Sequence, residues 1–237
     1  MKIIAQIATI TALACFTSCA SYVTPGRQAD LSVFTDPDVK KAFSAKPAVQ
    51  FPANIAMVRV QGSGYRSASS RGVGSGAYSV VTSRDIETEE DVQMIRSAPG
   101  IADVVTLNRL LLPQNLSSDL DIRSAAAKLQ ADVILVYTLD TSFDDGNIIA
   151  PLTTITLGLA PNKKYKIQAT ASAILMDTKT GFIYGALEEV TDRSGLTMAW
   201  GSHDVIENGR KKAEREALDQ LLAEFGPLWS RIYQRYQ

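Results

Sequence analysis

The chain of 237 residues carries 24 Lys and Arg against 25 Asp and Glu, a net charge of −1. That balance gives no basic footprint for nucleic acid and no polycationic surface for anionic headgroups. One histidine and two cysteines supply too few ligands for a structural zinc site, and the carboxylates are scattered, so neither a metal nor any other cofactor is expected.

Lys2 is the only charge in the first nineteen residues. The apolar stretch Ile3–Phe16 is too short for a stable membrane anchor but has the length of a signal-peptide hydrophobic region, so residues 1–18 are expected to be removed. A cysteine directly after such a stretch resembles the lipobox of bacterial lipoproteins, in which the cysteine becomes the lipid-bearing first residue. Cys15 follows Ala12-Leu13-Ala14 and Cys19 follows Phe16-Thr17-Ser18; both have a small residue before the cysteine, and neither has the usual leucine three positions earlier. Cys19 keeps the hydrophobic region at full length and opens the mature chain on Cys-Ala-Ser-Tyr-Val-Thr-Pro. Lipidation is therefore assigned to Cys19, with Cys15 as the alternative site and plain secretion as the alternative fate. By the same resemblance, Ala20 stands where an aspartate would retain the protein at the inner membrane, which implies the outer membrane. A chain beginning at Cys19 has no second cysteine and can form no internal disulfide.

Residues 19–52 are polar and broken by Pro25, Pro37, Pro47 and Pro52, as in a tether. Asp36 and Pro37 have the residue types of a short helix start. If mostly flexible, such a tether reaches roughly 30 Å. Residues 53–237 then remain for one domain of ordinary size.

Within it, Ile55–Val60 and Tyr78–Thr82 read as neighbouring strands joined by the glycine- and serine-rich stretch Gln61–Ala77. Thr88-Glu89-Glu90-Asp91 has the form of a capping box for an amphipathic helix that Pro99-Gly100 ends. Val104–Leu112 reads as an edge or partner strand. Ser118 can cap a helix over Asp119–Gln130, and the apolar run Val133–Leu139 suits a strand covered on both faces. Ile148–Leu159 and Tyr165–Met176 flank Pro161-Asn162-Lys163-Lys164 as the arms of a hairpin. The second arm alternates Tyr165, Ile167, Ala169 and Ala171 with Lys166, Gln168, Thr170 and Ser172. Asp177–Gly181 is a turn, Phe182–Val190 the returning strand, and Ala213, Ala217, Leu221, Leu222, Phe225, Trp229 and Ile232 a helical stripe. Gly226-Pro227 is expected to bend or split that last helix.

A helix ending in Leu129-Gln130-Ala131-Asp132, the strand Val133–Tyr137, the segment Ala173–Gly181 and the final helix together resemble a known domain. It is the α/β domain shared by the curli-secretion lipoproteins, the lipoprotein activators of penicillin-binding proteins and the amino-terminal domain of the Tol–Pal translocation protein. In that group "ADxxLxG" and "DxxTG" recur as structural marks; here Tyr137 stands where a glycine is common. The resemblance implies a single compact α/β domain, a mixed sheet flanked by helices, and a scaffold without an enzyme's activity.

Three features invite a functional reading. His203 lies beside Asp204, but no Gly-x-Ser-x-Gly elbow accompanies it, so a hydrolase is the least favoured class. Glu188-Glu189 reads as a solvated strand end. The loop Gly62–Gly76 carries Arg66 and Arg71 among Gly72, Gly74 and Gly76, which suits a mobile arm that binds a partner or cradles an anion. The expected protein is thus a non-enzymatic lipoprotein of the outer membrane, held to the bilayer through Cys19, its domain in the periplasm facing an envelope protein. The alternative is an oligomeric secretion or pore subunit that uses amphipathic strands within 148–176.

Overall fold

The computed structural model describes residues 22–23, 43–147, 163–197 and 202–237. Its strands are β1 (Tyr22–Val23), β2 (Ala53–Gly62), β3 (Gly72–Val73), β4 (Ser75–Gly76), β5 (Tyr78–Val81), β6 (Ile101–Thr106), β7 (Asn115–Leu116), β8 (Val133–Asn147), β9 (Lys163–Asp177) and β10 (Ile183–Thr197). The helices are α1 (Glu89–Arg96), α2 (Asp119–Lys128) and α3 (Ser202–Tyr236).

The main sheet runs β10-β9-β8-β2-β5-β3, with β6 also on β2 and β1 also on β8. β2 is its hub. One edge of β2 pairs in parallel with β8 from Ile55 to Arg59. The other edge is shared, in parallel with β6 from Ala53 to Met57 and antiparallel with β5 from Arg59 to Gly62. β8, β9 and β10 are antiparallel to one another, so the sheet is mixed. The chain forms a single compact α/β domain, as the sequence implied.

The period of two decides which side chains meet which helix. Val133, Leu135, Tyr137 and Leu139 of β8 join Ile55 and Met57 in a core under α1 and α3, while Ile134 and Val136 join Ala56, Val58 and Val60 in a second core under α2. Both short helices start as their caps foretell. Asp91 accepts from the Thr88 amide at 2.8 Å, and Asp121 from the Ser118 amide at 2.9 Å, which satisfies donors that a helix start otherwise leaves open.

Five expectations change. The strand expected over Val104–Leu112 is β6, ending at Thr106, followed by a 3₁₀ turn at Arg109–Leu111 in which Asn108 Oδ1 accepts from the Leu110 amide at 2.9 Å. α2 stops at Lys128 because Gln130 takes a left-handed φ of 57°. The first arm of the hairpin is β8 itself, which continues past Leu139 to Asn147 and pairs with β9 along its whole length; Ile148–Leu159 lies outside the described residues. β10 runs on to Thr197, so Glu188-Glu189 sits mid-strand rather than at an end, and Ser172 donates to Glu188 at 3.1 Å.

α3 is not split at Gly226-Pro227. It runs unbroken from Ser202 to Tyr236 with Pro227 inside. Proline removes the bond to the carbonyl of Ala223, but Ala223 and Pro227 are exposed, so water can serve that carbonyl. Phe225, Leu228 and Trp229 are buried around the break and hold the helix to the sheet across it.

Beyond Arg59 and Tyr137, β2 and β8 part, and β8, β9 and β10 continue as a three-stranded ribbon. Gln61 covers the point of departure: its Nε2 donates to the Leu139 carbonyl at 2.7 Å and its Oε1 accepts from Thr138 at 3.3 Å. These bonds replace the ladder that the divergence removes. Strands of fifteen residues extend roughly 50 Å, about the length of the 35-residue α3 lying along them.

Candidate functional site

The core row that begins with Ile55 and Met57 continues on β2 with Arg59, whose side chain is buried under α3. α3 answers with polar groups in kind. One turn before Ala213 and Ala217 it places Arg210, and beside Ala213 it places Glu214, which is 0% exposed. The chain after β5 adds Asp85 and Glu87, both buried at their side chains.

Arg59 donates from Nη1 to Asp85 at 2.9 Å and to Glu87 at 3.4 Å, and from Nη2 to the Tyr65 hydroxyl at 3.2 Å. The same Nη2 lies 3.6 Å from Glu214. Arg210 pairs with Glu214 at 2.5 Å, with Glu207 at 2.7 Å and with Asp85 at 3.4 Å. Hydroxyls close the cluster: Thr141 donates to Glu214 at 2.9 Å, Ser69 to Asp85 at 2.6 Å and Tyr137 to Glu87 at 2.7 Å. Beside it, Arg215 spans from α3 to Asp91 on α1 at 2.6 Å and donates to the Ile86 carbonyl at 2.9 Å. Arg59 Nε and Glu87 Oε2 remain without a hydrogen-bond partner among the described residues.

Burial pushes the Glu214 carboxyl up, against the pull of Arg210 and Arg59. Burial likewise pushes up the Tyr137 hydroxyl, and the carboxylate of Glu87 adds to it. Asp85 goes the other way: burial alone would raise it, but the Ser69 hydroxyl and the guanidiniums of Arg59 and Arg210 hold it below the usual carboxylate range. A carboxyl lowered in the folded state contributes stability that is present above its unfolded value and lost as pH falls through its folded one. Asp85→Asn should therefore destabilise at pH 7 and cost progressively less as pH falls below about 4, the ordinary carboxylate value, toward the lower pH at which the folded Asp85 carboxylate itself takes a proton. Urea melts of both proteins at pH 7 and at pH 3 check this; an equal difference at the two values would show that the charge of Asp85 contributes nothing.

The cluster ties β2, β8, the segment 82–88 and α3 together, and its donors and acceptors are largely spent on one another. A cavity of about 30 Å³ adjoins it between the ends of β5 and β6, room for a water or two and no metabolite. On the outer surface a groove of about 440 Å³ lies against α3, with Lys211 and Lys212 on its wall.

The glycine-rich loop is built differently from the arm expected. Tyr65 is buried with its ring 5.7 Å from the Arg59 guanidinium carbon, and Ser69 reaches Asp85, so the loop is pinned to the ionic cluster. Gly72 pairs with Val81, and a Cβ there would meet Ser79 Oγ at 2.1 Å; at Gly76, with φ of 110°, a Cβ would meet the Leu116 carbonyl at 2.5 Å. Gly72 and Gly76 thus permit close strand approach, and Gly74 lies between them. Arg66 and Arg71 face each other across an antiparallel bridge, both exposed and neither ion-paired with a described residue.

The motifs behind the resemblance have structural work. Asp177 accepts from the amides of Lys179 and Thr180 at 2.9 Å, from the Ala48 amide at 2.7 Å and from the Tyr184 hydroxyl at 2.7 Å, so it organises the turn into β10 and captures the incoming chain. Asp132 accepts from the Asn54 amide at 3.0 Å and fixes the register of β8 on β2. Tyr137 supplies the hydroxyl that reaches Glu87. His203 lies in the first turn of α3. Cys15 and Cys19 lie outside the described residues.

The sequence reading passed over the cluster, although a signal was present. Arg59 has core parity in an otherwise apolar strand, and Arg210 and Glu214 extend the apolar stripe of α3 at a spacing of four.

No family model and no curated protein matches the chain. Among solved structures, a PelC dodecamer from Paraburkholderia phytofirmans aligns at 8% identity over 78% of this chain and 91% of its own, with a TM-score of 0.27. A DUF330 protein from Xanthomonas campestris aligns at 10% identity over 91% and 97%, with a TM-score of 0.36. A hypothetical protein from Chlamydia trachomatis aligns at 13% identity over 76% and 95%, with a TM-score of 0.27. Likenesses at this level carry no inference for the present chain.

Proposed function

We propose that the protein is a non-enzymatic lipoprotein of the cell envelope, cleaved before Cys19 and anchored by that residue in the outer membrane. Residues 19–52 lead to the α/β domain, which occupies residues 53–237 and acts as an interaction module for an envelope protein. The observation that carries this reading is the uncharged apolar run Ile3–Phe16, followed three residues later by Cys19, ahead of one folded domain. Cys19→Ser is expected to release the protein from membranes or leave uncleaved precursor, while Cys15→Ser leaves maturation unchanged. Fractionation and intact mass read both; acylation that survives Cys19→Ser and fails in Cys15→Ser would overturn the assignment.

Arg66 and Arg71 are the contact we assign to the partner. Two exposed like charges opposite each other across a bridge repel, and an acidic group from a partner relieves that repulsion with charge-assisted bonds. Arg66→Ala with Arg71→Ala should leave the melting midpoint nearly unchanged and weaken capture of the envelope partner from membrane extracts. Unchanged recovery of every captured protein would remove the loop from the interface.

A further inference from the structure

We propose that the cavity beside the ionic cluster is a built site for one ordered water, which accepts from Arg59 Nε and donates to Glu87 Oε2. Through it the segment 82–88 is locked to β2.

The first support is a pair of polar atoms. Arg59 donates from Nη1 to Asp85 and Glu87 and turns Nη2 toward Tyr65 and Glu214, which leaves its Nε–H without a partner among the described residues. Glu87 accepts from the Tyr137 hydroxyl and from Arg59 Nη1 on Oε1, and its Oε2 is likewise unmatched. The two side chains are 1% and 5% exposed, so bulk solvent serves neither atom. A buried donor or acceptor left open loses its hydration with nothing in return. Here one of each occurs in a single ion pair.

The second support is the space beside them. Arg59 and Glu87 both wall the cavity of about 30 Å³, which admits water and nothing much larger. Thr82 and Thr106 share that wall and can bring the bonds of a buried water to the usual number of about three. Chemistry then selects the occupant. An anion would meet the Glu87 carboxylate and a cation the Arg59 guanidinium, whereas water accepts from one and donates to the other. The bridge also changes what the pair does. Arg59 and Glu87 otherwise meet only through the 3.4 Å contact of Nη1 with Oε1. A second path from Nε through water to Oε2 makes the contact two-pronged, so β2 holds the segment that leads into α1 by orientation as well as by charge.

Crystals of the full-length protein soaked in rubidium bromide test the assignment. The expected result is a density peak within hydrogen-bond distance of both Arg59 Nε and Glu87 Oε2 that carries no anomalous signal from either ion. No peak, a peak bonded to only one of the two atoms, or rubidium or bromide signal at this place overturns the proposal. In solution, Val92→Ile adds one methylene to the buried cavity wall and leaves every polar group of the cluster in place. Evicting the water should remove the contribution of one long-lived water from the oxygen-17 relaxation dispersion of the full-length protein. It should also lower the melting midpoint, since two buried groups lose their partner. An unchanged dispersion with a higher midpoint is the result for a dry cavity that the methylene fills, and it overturns the proposal. Val81→Ile, on the β5 side of the same wall, takes the place of Val92→Ile should the latter fail to fold.

Discussion

Trp229→Ala should destabilise the domain by about 3–5 kcal/mol in a urea melt. The indole is wholly buried, stacked on Phe225 at 6.0 Å and met edge-on by Phe51 at 5.9 Å. Its Nε1 donates to the Pro99 carbonyl at 2.8 Å, so truncation opens a cavity and also orphans an acceptor at the turn between α1 and β6. The surroundings have little freedom to collapse into that space. Phe51 is held against Tyr233 at 5.0 Å, and Tyr233 packs so closely on Gly100 that a Cβ there would overlap its ring at 2.3 Å. Trp229→Phe should cost less, since it keeps most of the stacking and loses the hydrogen bond. A loss below about 1 kcal/mol for the alanine variant would show that the aromatic cluster is not part of the cooperative core.

How legible the fold was depended on whether local pattern and tertiary context agreed. β9 was readable because Ile167, Ala169 and Ala171 are buried in the core under α3 while Lys166 and Gln168 are exposed, so burial and alternation coincide there. The starts of α1 and α2 were readable because Thr88 with Asp91 and Ser118 with Asp121 solve their capping locally. Pro227 misled because its local cost is outweighed by Phe225, Leu228 and Trp229, which are distant in sequence from the sheet they grip. The outer half of β8 was missed since Asp140, Ser142 and Asp144 lie on the uncovered face of the ribbon and dilute the apolar signal. The glycines at 72 and 76 advertised mobility in sequence; in the fold they mark close strand contacts, because the same missing side chain serves either end. As for the buried charges, each looks ordinary alone. Arg59 in a strand and Arg210 with Glu214 on a helix become a site only through the pairing of β2 with β8 and the packing of α3 across them.

That cluster supplies the second large effect. Arg59→Ala should cost about 3–5 kcal/mol, the usual penalty for breaking a buried ion pair by removing one member. The loss comes less from the missing attraction than from what stays behind. Asp85, Glu87 and Glu214 would face one another beneath α3 with Arg210 alone to neutralise them, and burial already pushes Glu214 toward its neutral form. Water cannot readily compensate, because the adjoining cavity has room for only a molecule or two. Glu214→Ala is expected to be similarly severe, since it strips Arg210 of its 2.5 Å partner and Thr141 of its acceptor. Replacing both, as Arg59→Met with Glu214→Leu, should cost clearly less than the two alanine losses added together, because apolar side chains of similar size leave fewer stranded charges. Equilibrium melts of the two alanine variants and of the double variant decide the matter. Additive losses would mean that Arg59 and Glu214, 3.6 Å apart, act on stability independently, and that the network is held together by its separate hydrogen bonds rather than by shared charge.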